Sequence, residues 1–365
     1  MTGKLSSFHG ASVMVTGHSG FKGAWLTSWL KHLGANVQGL SISVPTEPAL
    51  FDDLGGEESQ HTTWMDVCDT DLVTEQLNAN LPDYIFHLAA QPIVQESFAD
   101  PVTTWRTNTL GTVSMMEAIR RSALTSSNVV MITSDKVYRN QEWLWGYREG
   151  DELGGIDPYS ASKASAELAI RSYSSSGIFG KQDIRVASVR AGNVIGGGDW
   201  APDRIVPDSI RAWQKGLPLQ IRFPLSTRPW QHVLEPLGGY LLTAKALASG
   251  SLSTGEALNF GPDIRETKSV EELVSRLSHQ LGGKPPLSVT TSQASVHESR
   301  LLSLSSEKAR DSLGWHPLMS FDTTVDWTAA WYASRAAGSE AAYLVAEQIR
   351  AYEQLIEDSE DWGSA

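Results

Sequence analysis

The sequence is poor in cysteine, in positive charge and in long apolar runs, and each shortage argues against a class of protein. Its single cysteine, Cys68, has no second thiol with which to form a disulfide, so nothing calls for an oxidising compartment. Lys and Arg number 29 against 42 Asp and Glu, and the formal charge of −13 argues against nucleic acid or an anionic membrane as partner. No apolar run approaches the roughly 20 residues of a membrane span, and none near the N-terminus suits a signal peptide. We therefore expect a cytoplasmic enzyme with no membrane contact.

Short β-type runs alternate with helical patterns through the first half of the chain. Trp25, Leu26, Trp29, Leu30 and Leu33, for example, fall on one face of a helix. This alternation predicts an α/β fold, a Rossmann-type doubly wound parallel sheet. The predicted strands are residues 11–16, 36–40, 84–89, 128–133 and 184–188, and the predicted helices are 21–33, 72–80, 103–123 and 158–174.

The pattern loosens after about residue 190, where prolines are frequent and Gly196, Gly197 and Gly198 stand together. A helix over 267–281 and a strand over 287–291 are predicted there. At about 150 residues per domain, the length of 365 residues also favours two domains. We expect a cofactor-binding domain over 1–188 and a smaller mixed substrate-binding domain over 189–365, with some crossing of the chain between them.

A glycine-rich loop joins the first predicted strand to the first predicted helix. Gly17, Gly20 and Gly23 stand there at G-x-x-G-x-x-G spacing. Such glycines permit a tight turn and the close approach of a pyrophosphate, which the helix N-terminus also favours. Because a strand precedes the loop and an amphipathic helix follows it, the sequence predicts a dinucleotide site.

The residues leave the choice between NAD and NADP open. The second strand is followed by Ser41-Ile42-Ser43, with neither the carboxylate that usually holds the adenosine ribose nor an arginine in its place. His18 and Lys22 are candidates to meet the 2′-phosphate of NADP. Asp66 is placed to reach the adenine, although its spacing alone fits an ordinary turn carboxylate better.

Tyr159 and Lys163 stand four residues apart on a predicted helix, which puts them on one face. A nearby ammonium lowers the pKa of a phenol from about 10 toward neutrality, and the tyrosine can then take a hydroxyl proton during hydride transfer. The pair alone occurs often by chance on a solvated helix face. Together with the upstream glycine loop, it favours an NAD(P)-dependent enzyme.

These motifs resemble the extended short-chain dehydrogenase/reductases, NAD(P)-dependent enzymes that act on nucleotide-linked sugars. The resemblance extends over nearly the whole chain, to Lys-Ala-Arg-Asp-Ser-Leu-Gly-Trp-His-Pro at 308–317. It implies a Rossmann domain with a smaller substrate-binding domain, and a homodimer or a homotetramer. Its motifs assign to the cofactor site Phe21, Leu88, Ala89, Ala90 and Asn108, and to the substrate site Gln91.

Four segments resemble, more narrowly, the CDP-glucose 4,6-dehydratases of that family. They are residues 132–138, 143–149, 190–200 and 228–236. The first contains Thr133, Ser134, Asp135 and Lys136, where dehydratases for dTDP- and GDP-sugars carry an acid followed by Glu. The resemblance implies that Asp135 protonates the departing 6-hydroxyl and that Lys136 takes the proton of carbon 5. From the residues alone, Asp135 and Lys136 would be an ordinary loop ion pair.

A nucleotide-sugar carries two phosphates, which arginine matches in a bidentate manner. Arg204, Arg222 and Arg228 are the candidates, each of them also an ordinary surface residue by type. Asn193 is assigned to the phosphate or sugar by resemblance. Trp145, Trp200 and Trp230 are candidates to wall the sugar pocket, with core packing as the alternative.

Two other functions compete with this prediction. One is a different nucleotide-sugar dehydratase or a 4-epimerase, which would share Tyr159 and Lys163. The other is a non-catalytic NAD(P)-sensing module, which typically lacks the tyrosine or the lysine. No His, Cys, Asp and Glu cluster has metal-ligand spacing, so no metal is expected.

Overall fold

The computed structural model describes residues 3–59, 61–221, 223–282, 287–289 and 301–364. The strands in this part of the chain are β1 (Ser12–Thr16), β2 (Asn36–Ser41), β3 (His61–Trp64), β4 (Tyr84–His87), β5 (Ser126–Ile132), β6 (Asp183–Ala191), β7 (Val194–Ile195), β8 (Leu219–Ile221), β9 (Thr227–Arg228), β10 (Gln231–His232), β11 (Glu256–Phe260), β12 (Lys268–Ser269) and β13 (Leu287–Val289).

The α-helices of the same residues are α1 (Phe21–His32), α2 (Leu50–Asp53), α3 (Gly56–Ser59), α4 (Thr70–Asn80), α5 (Val94–Ala99), α6 (Pro101–Trp105), α7 (Gly111–Arg121), α8 (Pro158–Ser175), α9 (Ile205–Lys215), α10 (Leu234–Ser249), α11 (Val270–Gln280), α12 (Glu307–Leu313), α13 (Phe321–Ala336) and α14 (Ala341–Asp358). Short 3₁₀ turns occur at Gly3–Phe8, Asp135–Val137 and Ile264–Glu266. A π-turn, Arg106–Leu110, lies between α6 and α7.

Seven strands form one parallel sheet in the order β11-β6-β5-β4-β1-β2-β3. The order reverses at β1, whose neighbours are β2 on one side and β4 on the other. Crevices that bind ligands open at the carboxyl ends of the strands at such a reversal. The predicted Rossmann-type sheet is therefore confirmed, and the site is expected at this edge.

The two faces of the sheet are covered by helices that bury different apolar side chains. One face packs against α1 and α10, and α14 packs on the outer side of α1, in a cluster with large aromatic residues, among them Trp25, Trp29 and Trp331. The other packs against α4, α7 and α8 around a smaller cluster that includes Met14 and Met115. Each such side chain contributes about 1.5–3 kcal/mol through burial. These two layers hold the strand ends rigidly in place.

Local sequence signals explain where the functional helices begin. Asp157 caps α8 by accepting a hydrogen bond from the Ser160 amide, with Pro158 at the first helical position. Ser269 and Glu272 form a reciprocal capping box that starts α11 at Val270, so this helix begins later than predicted. Of the predicted strand 287–291, the last two residues lie outside the described residues.

The helix predicted over 103–123 is confirmed, because α6, the π-turn and α7 follow one another without a break from Pro101 to Arg121, with helical dihedral angles at both junctions. This turn carries Asn108, whose side chain is drawn inward by hydrogen bonds to the loop after β4. Among the described residues, the helices include none with the length and apolar character needed to span a membrane.

Candidate active site

A cavity of about 1700 Å³ follows the carboxyl edge of the sheet from the β1–β2 side to the elements after β6. Ordinary small-molecule pockets measure about 300–1,000 Å³, so this cavity has room for two ligands. Its wall at one end is the glycine loop, and its floor is formed by the segments after β4 and β5.

The glycines of the loop allow its backbone to approach both the cavity and the neighbouring strand end closely. Gly17 has a φ of +71°, and a Cβ there would lie 2.8 Å from the Ala89 amide nitrogen. A Cβ on Gly23 would lie 2.1 Å from the Gly17 carbonyl oxygen. Gly20, at the N-cap of α1, makes no side-chain capping bond, and Gly20, Phe21 and Lys22 line the cavity. An anionic group such as a pyrophosphate fits this helix start.

The segment after β4 forms the adjoining wall. Leu88, Ala89, Ala90 and Gln91 all line the cavity. Asn108 is buried behind them; its Oδ1 accepts from the Gln91 amide (2.9 Å), and its Nδ2 donates to the Gln91 carbonyl (3.1 Å). Asn108 thus holds the wall in position and is not itself part of the lining.

The adenosine end of the cavity lies by β2 and β3, where Asp66 and Ser41 line the wall. The Asp66 carboxylate accepts from the Cys68 amide and pairs with Arg106 (2.7 Å), and these bonds outweigh burial and lower its pKa. No Lys or Arg lines this end among the residues that the structure describes.

The two residues predicted to meet a 2′-phosphate lie elsewhere. His18 is buried, its Nδ1 bonded to Ser41 Oγ and its Nε2 to Thr62 Oγ1, both at 2.9 Å. Burial lowers the pKa of His18 to about 4, so the ring is neutral. The Lys22 ammonium lies 5.9 Å from the centroid of the Tyr240 ring, among the charges of Arg204 and Asp135. Lys22 therefore lies near the predicted catalytic residues and not at the adenosine end of the cavity.

Tyr159 and Lys163 project from α8 into the centre of the cavity wall, and both are buried. Burial lowers the pKa of Lys163 to about 7, with the charge of Lys22 acting in the same direction. The prediction that the phenol pKa falls toward neutrality was wrong for this arrangement: burial raises the pKa of Tyr159 to about 12, against a hydrogen bond from Ser134. An unmatched ammonium beside a buried phenol is the arrangement of a site that exchanges protons.

The 3₁₀ turn after β5 carries the predicted acid and base. Ser134 Oγ accepts from the Lys136 amide (3.2 Å) and contacts the Asp135 carboxylate (3.0 Å). Asn193 Nδ2 donates to Asp135 Oδ2 (3.3 Å). Lys136 is half-buried on the cavity wall. The structure thus brings Asp135, Lys136 and Ser134 to the same part of the cavity as Tyr159.

Thr133 is placed differently from its neighbours, because its hydroxyl donates to Glu167. Glu167 also accepts from Ser188 (2.8 Å) and forms two hydrogen bonds with the Arg190 guanidinium (2.9 and 2.8 Å). Arg190 in turn donates to the Tyr138 hydroxyl (2.7 Å). We call these five residues the Glu167 network; sequence reasoning missed it, since its members are spread over 58 positions of the chain from Thr133 to Arg190.

The remaining predicted residues lie toward the second half of the chain. Arg204, half-buried on the wall, pairs with Asp199 (3.0 Å), and Arg228 and Trp230 line the far end of the cavity. Trp200 also lines the cavity. Arg222 lies outside the described residues.

Trp145 neither walls the cavity nor packs in the core, the two positions considered for it from the sequence. It is 59% exposed, so it is not a core residue, and it is absent from the cavity wall among the described residues. It packs against Trp143, with ring centroids 5.3 Å apart.

Comparisons with known proteins agree with this geometry. The family model for "GDP-mannose 4,6 dehydratase" matches residues 14–328. A CDP-glucose 4,6-dehydratase of Salmonella typhimurium is 41% identical over 332 residues, which are 89% of this chain and 92% of that protein. A dTDP-glucose 4,6-dehydratase of Xanthomonas campestris pv. campestris is 25% identical over 338 residues, 88% of this chain and 93% of that protein.

Among solved structures, MoeE5 in complex with UDP-glucose and NAD superimposes with a TM-score of 0.74 at 25% identity. The match covers 90% of this chain and all of MoeE5. The resemblance predicted from the glycine loop, the Tyr159–Lys163 pair and the Asp135–Lys136 segment is therefore confirmed. The chain belongs to the nucleotide-sugar 4,6-dehydratase family of the short-chain dehydrogenase/reductase superfamily.

Proposed function

We propose that this chain is a CDP-glucose 4,6-dehydratase, which converts CDP-D-glucose to CDP-4-dehydro-6-deoxy-D-glucose and water with bound NAD. The observation that carries the proposal is the presence of Asp135 and Lys136 on the cavity wall that also presents Tyr159. An acid and a base are needed besides the tyrosine because water must leave across carbons 5 and 6. The relative that is 41% identical bears the same activity in its name.

The cavity suits NAD at its β1 side. The helix start at Gly20 fits the pyrophosphate, and a bulkier residue than glycine at position 17 would strike the backbone at Ala89. Asp66 reaches the adenosine end, and the wall there has no cation among the described residues, which favours NAD over NADP. NAD held by these residues would supply the hydride chemistry of the reaction, as acceptor from carbon 4 of the sugar and as donor to carbon 6.

Tyr159 is the residue that removes the proton of the 4-hydroxyl in this reaction. Its buried phenol has a raised pKa, so it needs cationic support to ionise. The charge of Arg204 lowers this pKa, and Lys163 on the next helical turn is the second cation that we assign to this role. Ser134, hydrogen-bonded to Tyr159, helps to stabilise the phenolate and orient it. The result is a ketone at carbon 4 that acidifies the proton on carbon 5.

Lys136 and Asp135 then divide the elimination between them. Lys136 takes the proton from carbon 5, and the electrons of that bond form the double bond to carbon 6. When carbon 6 later receives hydride, Lys136 returns a proton to carbon 5. Asp135 gives its proton to the 6-hydroxyl, whose bond to carbon 6 breaks as water leaves. Lys136 can act as a base only in its neutral form, and it lies half-buried on the cavity wall.

We propose the second half of the chain, residues 189–365, as the part that holds the nucleotide. Arg228 and Trp230 line the end of the cavity away from the glycine loop, and both are largely buried. An arginine there matches a phosphate, and an aromatic ring matches a sugar or base face. Arg204 lies closer to Tyr159, with which it interacts electrostatically, and is the candidate for the phosphate next to the sugar.

We also propose a cytoplasmic homodimer, or a pair of such dimers. α6 and the π-turn pack against α8 and leave large apolar side chains uncovered: Val102 is 75% exposed, Leu110 56% and Leu168 57%. An exposed apolar face on neighbouring helices suits a second copy of the same chain. The mass of the protein in solution tests this proposal.

The experiment that tests the activity is incubation of the purified protein and NAD with CDP-, dTDP-, UDP- and GDP-glucose in parallel. A 4-keto sugar is detected by its absorbance in alkali. We expect turnover of CDP-glucose far above that of the others. Turnover of UDP- or dTDP-glucose alone would contradict the substrate, and release of an epimer without a 4-keto product would contradict the reaction.

A further inference from the structure

The backbone after β6 is pressed against the carboxylate of Asp135. A Cβ added to Gly192 would lie 1.9 Å from Asp135 Oδ2 and 2.0 Å from its Cγ. Real Cβ atoms do not approach other heavy atoms so closely, and Asp135 is a short side chain that is itself buried. The φ of Gly192 is not in the left-handed region, so the reason for glycine is the carboxylate and not the turn.

The side chain of Asn193, the next residue, contacts the Asp135 carboxylate as well. Asn193 has a φ of +53°, a left-handed conformation that asparagine tolerates better than most residues. This conformation brings its Nδ2 to 3.3 Å from Asp135 Oδ2. The backbone of Gly192 thus packs against the whole carboxylate, since its Cβ would also lie 2.4 Å from Oδ1, and the side chain of Asn193 distinguishes Oδ2.

The Gly192–Asn193 segment is itself anchored from a third direction. Gln231 Nε2 donates to the Gly192 carbonyl (3.0 Å) and to the Phe260 carbonyl (3.0 Å). The Gln231 amide donates to the Asn193 carbonyl (3.2 Å). The segment is therefore held between β10, β11 and the carboxylate, and it cannot relax away from Asp135 without loss of these bonds.

The two oxygens of Asp135 have chemically different partners. Oδ2 faces an amide nitrogen, which only donates, so a proton on Oδ2 would oppose the Asn193 N–H. Oδ1 faces the Ser134 hydroxyl, which can turn to accept as well as to donate. The proton of a protonated Asp135 therefore belongs on Oδ1.

We propose that Gly192 and Asn193 are positioning residues for the acid Asp135, which fix Oδ1 as the oxygen that delivers the proton to the departing 6-hydroxyl. This inference rests on the proposed function and gives Asn193 a role other than the substrate contact expected from the resemblance. The proton passes from Oδ1 to the hydroxyl oxygen, water leaves, and Asp135 remains as the carboxylate. Oxidation at carbon 4 does not use Asp135, so disturbing these two residues should slow the elimination and spare the oxidation.

The test uses the full-length enzyme with Asn193→Asp, Asn193→Gly and Gly192→Ala, and with Gly150→Ala as control. Asn193→Asp keeps the shape and removes the donor, whereas Asn193→Gly keeps the left-handed backbone and removes the side chain. A Cβ at Gly150 meets nothing within 4 Å, so the control tests glycine replacement itself. Single turnovers of CDP-glucose are followed by the absorbance of reduced cofactor and by uptake of solvent deuterium at carbon 5.

We expect a fall in kcat of about 10- to 100-fold for both Asn193 variants, because a misplaced acid loses most of its effect. Reduced cofactor should accumulate above the wild-type level, deuterium should still enter carbon 5, and KM should change little. Gly192→Ala should show the same pattern more strongly. If it does not fold, the two Asn193 variants decide the question.

Two results would overturn the inference. One is a rise in KM with oxidation and elimination slowed equally, which would identify Asn193 as a substrate contact. The other is unchanged kcat in Asn193→Asp and Asn193→Gly. Failure of the proposed function would be distinguishable from both, because wild-type protein would then form neither reduced cofactor nor a 4-keto sugar from CDP-glucose.

Discussion

Two groups of charged residues lie near α8 and the carboxyl ends of the strands. One is the Glu167 network, and the other is Lys22 and Lys163 around Tyr159. The two groups differ in whether their charges form ion pairs. Glu167 and Arg190 form a bidentate pair, with Thr133, Ser188 and Tyr138 satisfying the remaining positions. Desolvation opposes the charge of Glu167, yet the bonds from Arg190 outweigh it and lower the pKa of the carboxyl. Both charges therefore persist in the interior.

Lys163, one helical turn before Glu167, has no such partner. Its ammonium reaches only the Ile132 carbonyl at 3.5 Å, and burial brings its pKa to about 7. Lys22 has a pKa of about 8 for the same reason. The pKa of the Glu167 carboxyl is thus lowered by its bonds with Arg190, whereas burial lowers the pKa values of Lys22 and Lys163 on the wall of the candidate site. Shifts of the second kind are typical of sites that exchange protons.

The largest effect is expected on turnover, from a substitution of Tyr159. Tyr159→Phe removes the hydroxyl that takes the proton of the 4-hydroxyl, so kcat should fall by about 10²- to 10⁴-fold. NAD binding, measured by fluorescence titration, should survive. Tyr173→Phe on the same helix, whose hydroxyl lies 3.5 Å from Glu117 outside the cavity wall, is the matched control and should retain activity. A Tyr159→Phe enzyme with more than a tenth of wild-type kcat would exclude the role of Tyr159.

Substitutions in the Glu167 network should lower the stability of the fold. Glu167→Gln leaves Arg190 as an uncompensated buried charge and should lower the free energy of unfolding by about 3–5 kcal/mol. Glu117→Gln, which breaks a partly exposed pair with Arg120, should cost no more than about 1 kcal/mol. Urea unfolding of the two variants makes the comparison. Equal losses would show that the Glu167 network does not hold these elements together.

Glu235 sharpens the comparison, because it is a buried carboxyl with hydrogen bonds but no cation. It accepts from the Leu318 and Met319 amides and from the Tyr352 hydroxyl, and burial nevertheless raises its pKa to about 7. The folded state therefore binds this proton more tightly than the unfolded state, whose pKa is near 4.5. Its contribution to stability is complete below about pH 4.5 and is lost as the pH rises through about 7.

Glu235→Gln should remove this pH dependence. Relative to the wild type, the variant should gain about 1–3 kcal/mol of stability as the pH is raised across that range. Unfolding midpoints measured in urea at both ends of the range test the difference. An unchanged slope of stability against pH would mean that Glu235 is ionised in the folded protein.

The smallest expected effect is the difference in affinity between NAD and NADP, which depends on the charges at the two ends of the cavity. The glycine loop and catalytic end carry Lys22, Lys163 and Arg204, whereas the ribose end by Ser41 has no cation on the wall among the residues described. NAD should therefore bind about tenfold or more tightly than NADP, a difference of about 1.4 kcal/mol. Calorimetric titration with each dinucleotide measures it. Tighter binding of NADP would place a cation at the ribose end.

Local sequence was enough to predict the parts of the site that depend on short spacing. The glycine loop, the Tyr159–Lys163 pair and the Asp135–Lys136 turn each lie within a few residues, and strand–helix alternation predicted the sheet that brings them to one edge. Their catalytic roles stay predictions. What they share is a geometry set by one helix or one turn.

Contacts between distant segments were beyond such reasoning. The contact of Gly192 with Asp135 is set by the register of β5 and β6, and the pairing of Glu167 with Arg190 by the packing of α8 on the sheet. The hydrogen bonds of His18 to Ser41 and Thr62 could not be foreseen because these partners lie on other strands, and His18 was therefore considered for a phosphate. The spacing of residues in the sequence does not predict these contacts.

The central claim is that one bound cofactor molecule moves hydride from carbon 4 to carbon 6 while Asp135 and Lys136 expel water between the two transfers. It is tested most directly with CDP-glucose that carries deuterium at carbon 4. The account predicts a 4-keto product with the deuterium at carbon 6 of the same molecule, without any net consumption of NAD. Deuterium lost to solvent, or left in reduced cofactor that builds up in proportion to product, would contradict it.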